Sequence, residues 1–328
     1  MTRELRGLLV DPIDGVRPGM LRMEGGRIVA VEQLDQELES PLLFPGFVDL
    51  QIYDVARCVE HGVTGYLATV GTTVRGAVEA FLDGLPDDPA CLGAHVEGPY
   101  LNPEAAGAQA PEHIRPVDLA ELEGWLATGR VRLVTLAPEV EGAFDAIERI
   151  VGAGAVAALG HTATNHRTTR TAVDLGARFA THVWNAMGPV WARAPGAVGA
   201  VLEDERMTLG LNADGRHLHP ATEELTFRAA GPRRIALTSD LVPPPHEEPD
   251  GKLLGGDRCG AALVQRMAAR FGLAEAAQMA SLTPAGLLGL ADRGRLAPGF
   301  RADLAVLGAD FTPQETIVAG ETAWATGG

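Results

Sequence analysis

Cysteine is scarce in this 328-residue chain: three residues, Cys58, Cys91 and Cys259, stand far apart and form no CxxC pair. An odd, sparse set excludes a disulfide framework and suits reduced thiols in a cytosol. Positive charge is scarce as well. The 27 Lys+Arg are outnumbered by 43 Asp+Glu, for a formal net charge of −16. So little basic surface argues against nucleic-acid or anionic-membrane partners, because phosphates would go unneutralised. No uninterrupted apolar run reaches membrane-spanning length. The opening residues, Met1-Thr2-Arg3-Glu4-Leu5-Arg6, lack the apolar core of a secretory signal. A soluble, cytoplasmic protein is expected.

The chain is long enough to bury a large core, as one α/β barrel or two modest domains. Its two ends share a strand-and-turn texture. Leu5–Val10, Met20–Met23 and Ile28–Val31 read as short strands, with Glu24-Gly25-Gly26-Arg27 as a hairpin turn. At the far end Ala302–Leu307 and pieces between Glu315 and Ala325 read the same way. Between them lie eight apolar runs: Leu42–Ile52, Val63–Val70, Cys91–Val96, Val131–Leu136, Ala155–Leu159, Phe179–His182, Met207–Leu211 and Arg234–Thr238. Helical stretches such as Pro116–Leu126, Glu141–Val151 and Thr168–Leu175 separate most of them. Alternation on this scale predicts a parallel sheet, and eight units are what an α/β fold of the (β/α)8 TIM-barrel type needs. The expected division is a barrel over 44–293 and a small β-domain from 1–43 and 294–328.

The stretch Ala94-His95-Val96-Glu97-Gly98-Pro99-Tyr100-Leu101-Asn102 carries the chemistry. A buried strand ends at Gly98-Pro99 and leaves the Glu97 carboxylate at its carboxyl end, where burial without a partner is costly. Two later strands end in Gly160-His161 and Thr181-His182. One Glu and two His at strand ends form a three-ligand set for a catalytic metal with an open fourth position. Asp240 also falls at a strand's carboxyl end, where barrel enzymes keep their active sites.

These residues also carry a resemblance. His95-Val96-Glu97-Gly98-Pro99-Tyr100-Leu101-Asn102-Pro103, Gly160-His161-Thr162-Ala163-Thr164, Thr181-His182-Val183-Trp184-Asn185-Ala186-Met187 and Ala213-Asp214-Gly215-Arg216-His217 resemble the N-acetylglucosamine-6-phosphate deacetylases of the amidohydrolase superfamily. Pro45-Gly46-Phe47-Val48-Asp49 and Leu296-Ala297-Pro298-Gly299-Phe300-Arg301-Ala302-Asp303-Leu304 resemble the superfamily's first and last strands. The resemblance implies a metal-dependent barrel with a small β-sandwich built from both termini, often dimeric. It implies Glu97, His161 and His182 as ligands of one divalent metal, zinc first and Fe2+, Mn2+ or Co2+ as alternatives. Asp240 is implied as the proton carrier that serves attacking water and then the departing amine. His217 is implied as a substrate contact, and Asn185 with the Ala186 backbone as sugar-phosphate contacts. Arg193 is implied to reach a phosphate across a homodimer, a task that suits its fork of donors.

The sequence departs from that pattern at the first strand's end, where Gln51-Ile52-Tyr53 replaces the His-x-His of two-metal relatives. One metal is therefore expected. The segment Asp54–Gly62 is shorter than in relatives, which should open a pocket wall. Gly107-Ala108-Gln109 replaces a Gly-x-His, leaving Gln109 to hydrogen-bond a sugar hydroxyl or carbonyl without carrying charge. The expected reaction is deacetylation of N-acetylglucosamine 6-phosphate. The rivals are an amidohydrolase for another N-acyl or cyclic amide substrate, and an inactive binding homologue.

Overall fold

Gly46 divides the first long apolar run. A Cβ there would stand 2.0 Å from Thr64 Oγ1, so only glycine lets the backbone pass. The run expected as one strand from Leu42 to Ile52 is therefore two strands in two different sheets. The computed structural model describes residues 2–36 and 38–327. Met1 and Gly328, the outer limits of the expected small domain, and Glu37 lie outside the described residues.

The small sheet begins with β1 (Arg3–Asp11), β2 (Gly15–Glu24), β3 (Arg27–Gln33) and β4 (Leu42–Pro45). The barrel follows as β5 (Phe47–Ile52), β6 (Val63–Val70), β7 (Cys91–Glu97), β8 (Val131–Leu136), β9 (Val156–Leu159), β10 (Phe179–Ala180), β11 (Thr208–Leu211) and β12 (Ile235–Leu237). The chain then returns to the small sheet with β13 (Leu304–Leu307), β14 (Pro313–Val318) and β15 (Glu321–Ala325). The small sheet runs β15-β14-β13-β4-β1-β2-β3. Both termini meet at β4, which is antiparallel to β13 and parallel to β1. Backbone bonds Ile28 N–Phe300 O and Ala302 N–Gly26 O, 2.9 Å each, curl the sheet round Leu9, Leu21, Ile28, Leu43 and Leu304. The β2–β3 hairpin turns on Gly25 and Gly26, both at positive φ (57° and 77°), as a two-residue turn matched to strand twist requires.

The barrel strands are parallel neighbours in chain order from β5 to β12. Their near-continuous apolar runs follow from burial on both faces. The barrel closes where Asp240 N–H donates to Gln51 O (2.9 Å) and Tyr53 N–H to Leu241 O (2.8 Å). Helices between strands start where the sequence supplies caps. Asp118 Oδ1 accepts from Glu121 N–H ahead of Leu119–Ala127, and Asn165 Oδ1 accepts from Thr168 N–H ahead of His166–Asp174. Their apolar faces cover the sheet with Leu122, Trp125, Ile147, Ile150, Ala172 and Val173, all fully buried.

Candidate active site

Strand geometry brings the ligand set together. β7 ends on Glu97, and the turns after β9 and β10 present His161 and His182. The ligand atoms of these three buried residues lie within 4.8 Å of one another. Glu97 Oε1 is 3.1 Å from His161 Nε2 and 2.9 Å from His182 Nε2, and the two Nε2 atoms are 3.1 Å apart. His161, His182 and Asp240 all sit at positive φ: 48°, 32° and 51°. For residues other than glycine this costs on the order of 1–3 kcal/mol each, and such strain gathers where function needs it.

The donor set fits a divalent cation. His161 Nδ1 donates to Ala105 O at 2.9 Å. That fixes the neutral ring's proton on Nδ1 and turns the Nε2 lone pair toward Glu97. With two imidazole nitrogens and one carboxylate oxygen converging, a cation between them satisfies all three. Burial opposes ionisation of Glu97, but protons on the facing Nε2 atoms of His161 and His182 outweigh this and hold its carboxyl well below the usual range; a cation would stand in place of those protons.

Gln51 links the ligand set to Asp240. Its Nε2 donates to Glu97 Oε1 at 3.0 Å and to Asp240 Oδ1 at 2.9 Å. Asn212 Nδ2 approaches Asp240 Oδ2 at 3.4 Å. Burial, then the negative fields of Glu97 and Asp49, pushes Asp240 well above the usual carboxylate range. A bound cation reverses the sign of the local field and favours the carboxylate. Behind this layer His95 is buried between Leu50 O (3.0 Å) and Thr135 Oγ1 (2.7 Å). Burial lowers its pKa to about 4, so it is a neutral structural residue.

A cavity of about 320 Å³ opens above the set, with Tyr53, Gln109, Asn185, Ala186, His217 and Asp240 among its walls. His217 Nδ1 pairs with Asp214 Oδ2 at 2.7 Å, which leaves its Nε2 to face a ligand. Burial raises the Asp214 pKa, but the bonds from the His217 side chain and backbone outweigh it and bring it to about 2. Asn185 Nδ2 is buried without a partner, a donor awaiting an acceptor. Arg193 is elsewhere. It lies with Trp191 (64% exposed) in a separate surface groove, outside the cavity of its own chain.

The shortened first loop is met by another segment. Because β12 neighbours β5, the segment after β12 stands beside it, and Leu253, Leu254 and Gly255 line the cavity. That segment is a hairpin, with Glu248 N–Lys252 O at 2.8 Å and Leu254 N–His246 O at 2.9 Å. Gln109 does line the cavity, and its amide is also held within the protein. Nε2 donates to Glu97 Oε2 (2.9 Å) and to the Tyr53 hydroxyl (3.3 Å), while Oε1 accepts from Thr72 N–H (2.7 Å). Sequence reasoning passed over Tyr53, Asn212, Asp214 and Leu253–Gly255. The signal for Tyr53 was there: Gln51 and Tyr53, two apart at a strand end, share a face.

Similarity to known proteins points the same way. A profile of the amidohydrolase family matches residues 53–323. An N-acetylgalactosamine-6-phosphate deacetylase of Escherichia coli is 32% identical over 92% of this chain and 94% of its own length. The Homo sapiens N-acetylglucosamine-6-phosphate deacetylase is 31% identical over 93% of this chain and 91% of its own. The crystal structure of N-acetylglucosamine-6-phosphate deacetylase from Thermotoga maritima superposes with a TM-score of 0.91, at 30% identity, over 99% of this chain and 100% of that one. A Mycobacterium smegmatis deacetylase mutant in complex with N-acetyl-D-glucosamine-6-phosphate gives 0.87 at 30% identity over 98% and 99% of the two chains. With a profile match over most of its length and relatives that run almost end to end, this chain belongs to the amidohydrolase family.

Proposed function

We propose that this protein is a zinc-dependent deacetylase that hydrolyses N-acetylglucosamine 6-phosphate to glucosamine 6-phosphate and acetate. The carrying observation is the convergence of Glu97 Oε1, His161 Nε2 and His182 Nε2, with Asp240 tied to the same carboxylate oxygen through Gln51. When bound, the cation acts as a Lewis acid, lowering the pKa of a water and polarising the amide carbonyl.

Asp240 takes a proton from the attacking water as the carbon–oxygen bond forms. It returns that proton to the nitrogen as the carbon–nitrogen bond breaks, so one carboxylate serves both halves. Gln51 and Asn212 hold its two oxygens in place for this exchange. His217, oriented by Asp214, and the unpaired Asn185 amide bind the sugar phosphate. No arginine or lysine lines the cavity among the described residues, so the phosphate needs a cation from elsewhere. We assign that role to Arg193 of the partner subunit in a cytoplasmic homodimer. The exposed position of Arg193, away from its own cavity, supports this.

The test is acetate release from N-acetylglucosamine 6-phosphate by zinc-loaded protein, with Asp240→Asn as control. Release that the substitution abolishes supports the reading. No release from folded, metal-loaded protein sinks this substrate. The galactosamine epimer is the second reading, favoured by the Escherichia coli relative, and faster turnover of it reassigns the sugar while keeping the reaction.

A further inference from the structure

The two oxygens of Glu97 have divided surroundings. Oε1 faces His161 Nε2, His182 Nε2 and the Gln51 amide. Among the described residues, Oε2 is hydrogen-bonded to neither imidazole and accepts from the Tyr53 hydroxyl and Gln109 Nε2. Tyr53 and Gln109 are 56 residues apart in sequence, yet they converge on this one atom.

The direction of every bond in the group is fixed. Thr72 N–H can only donate, so the atom of Gln109 that meets it at 2.7 Å is the carbonyl oxygen, and the amide nitrogen must point at Glu97. That nitrogen turns a hydrogen toward Glu97 Oε2 (2.9 Å), with the Tyr53 oxygen on the same side at 3.3 Å. The Tyr53 hydroxyl is then left to donate its own hydrogen to Glu97 Oε2. Tyr53 itself is held by its backbone bond to Leu241 O at 2.8 Å. A carboxylate oxygen has about two in-plane lone-pair sites, and both of those on Oε2 are filled by hydrogen.

We propose that Tyr53 and Gln109 form a clamp on Glu97 Oε2 that makes Glu97 a one-oxygen ligand. They are positioning residues: they set how many donor atoms the protein offers to the cation. This rests on the reading of Glu97 as a metal ligand. With Oε2 saturated, the carboxylate cannot chelate through both oxygens, nor can Oε2 bridge to a second cation. The coordination number contributed by the chain stays low, and positions remain for water and substrate. Outer hydrogen bonds of this kind orient metal ligands and tune the metal.

The test uses the full-length protein loaded with one cobalt(II) per chain, whose visible absorption bands weaken as coordination number rises. Tyr53→Phe removes one donor to Oε2, and Gln109→Leu removes the other. Each variant is expected to lose visible intensity per bound cobalt relative to the parent, while its unfolding temperature shows that it is folded. Parent-like spectra in both folded variants overturn the clamp, and a change in only one overturns the shared role. A parent that shows no cobalt bands overturns this proposal together with the Glu97 ligand reading. Normal cobalt bands without acetate release would instead sink only the proposed substrate.

Discussion

Two regions of this molecule bury carboxylates, and Asp11 in one and Asp240 in the other titrate in opposite directions. In the small β-domain Asp11 has both oxygens engaged: Oδ1 accepts from Ile13 N–H, Asp14 N–H and Arg295, and Oδ2 from Leu296 N–H at 2.7 Å. Burial raises its pKa, but these donors outweigh it and lower the pKa overall. Asp303 is similar, held by Arg293 at 2.8 Å, Arg301 at 2.9 Å and Ala319 N–H at 2.8 Å. At the barrel mouth Asp240 has two amide neighbours and no cation, and its pKa goes up. His182 Nδ1, Gln51 Oε1 and Asn185 Nδ2 are buried there without partners. Buried polar groups normally find partners. The small domain also leaves Arg301 Nη2 without a partner, but three such atoms stand together at the mouth, and that concentration marks where a ligand completes the structure.

The sharpest way to break this contrast is to remove the mouth's charge. Asp240→Asn should lower kcat by about 10²- to 10⁴-fold, the usual worth of a general acid–base. Its unfolding temperature should stay near the parent value, because the amide has the shape of the carboxyl and burial already disfavours the charged form. A large loss of stability would mean that Asp240 is structural after all. The mirror experiment is Arg293→Met, beside the small domain. Asp303 keeps Arg301 and Ala319 N–H but loses its charged partner on Oδ2, which should cost about 1.5–3 kcal/mol in denaturant unfolding. The kcat/KM of the folded fraction should stay at the parent value.

Asp49, beneath the mouth, sharpens the comparison through pH. Burial raises its pKa from 3.8 to about 6, against hydrogen bonds from Ser239 and Gln51. The folded state therefore holds a proton that the unfolded state releases, and stability falls as pH rises through that window. The loss from this one group is about 3 kcal/mol. Asp49→Asn should flatten that part of the stability curve in unfolding titrations between about pH 4 and about pH 7. Asp11 has the opposite sign: its lowered pKa gives stability above the unfolded value that is lost in acid. The smallest effect belongs to His217→Ala. Losing one hydrogen bond to a charged substrate group should cost about 1.5–3 kcal/mol, seen as a raised KM with kcat nearly unchanged. An equal fall in kcat would move His217 from binding into the chemistry.

Much of this was legible along the chain. Glu97, His161 and His182 stand out because strand ends interrupted by Gly-Pro or Gly-His leave polar side chains where apolar ones should be. The hairpin at Gly25-Gly26 and the capped helices depend on neighbours a few residues away. The split at Gly46 was hidden, because it depends on Thr64 approaching the missing Cβ. The second attachment of Gln109 was hidden for the same reason. Its amide is turned by Thr72, which is 37 residues away in sequence. The closed pocket wall comes from Leu253–Gly255, reached only because the barrel seats β12 beside β5.

The sequence by itself determined the barrel, the small domain's strands and the three residues that could hold a metal. Periodicity, turn chemistry and the cost of burying lone polar groups are local rules that a chain states openly. Only the tertiary structure decided which oxygen of Glu97 faces the imidazoles, which residues saturate the other, and which buried charges are paired. Those outcomes depend on atoms brought within about 3 Å by barrel closure. No pattern along the chain encodes a direction in space between residues 51, 97, 109 and 240.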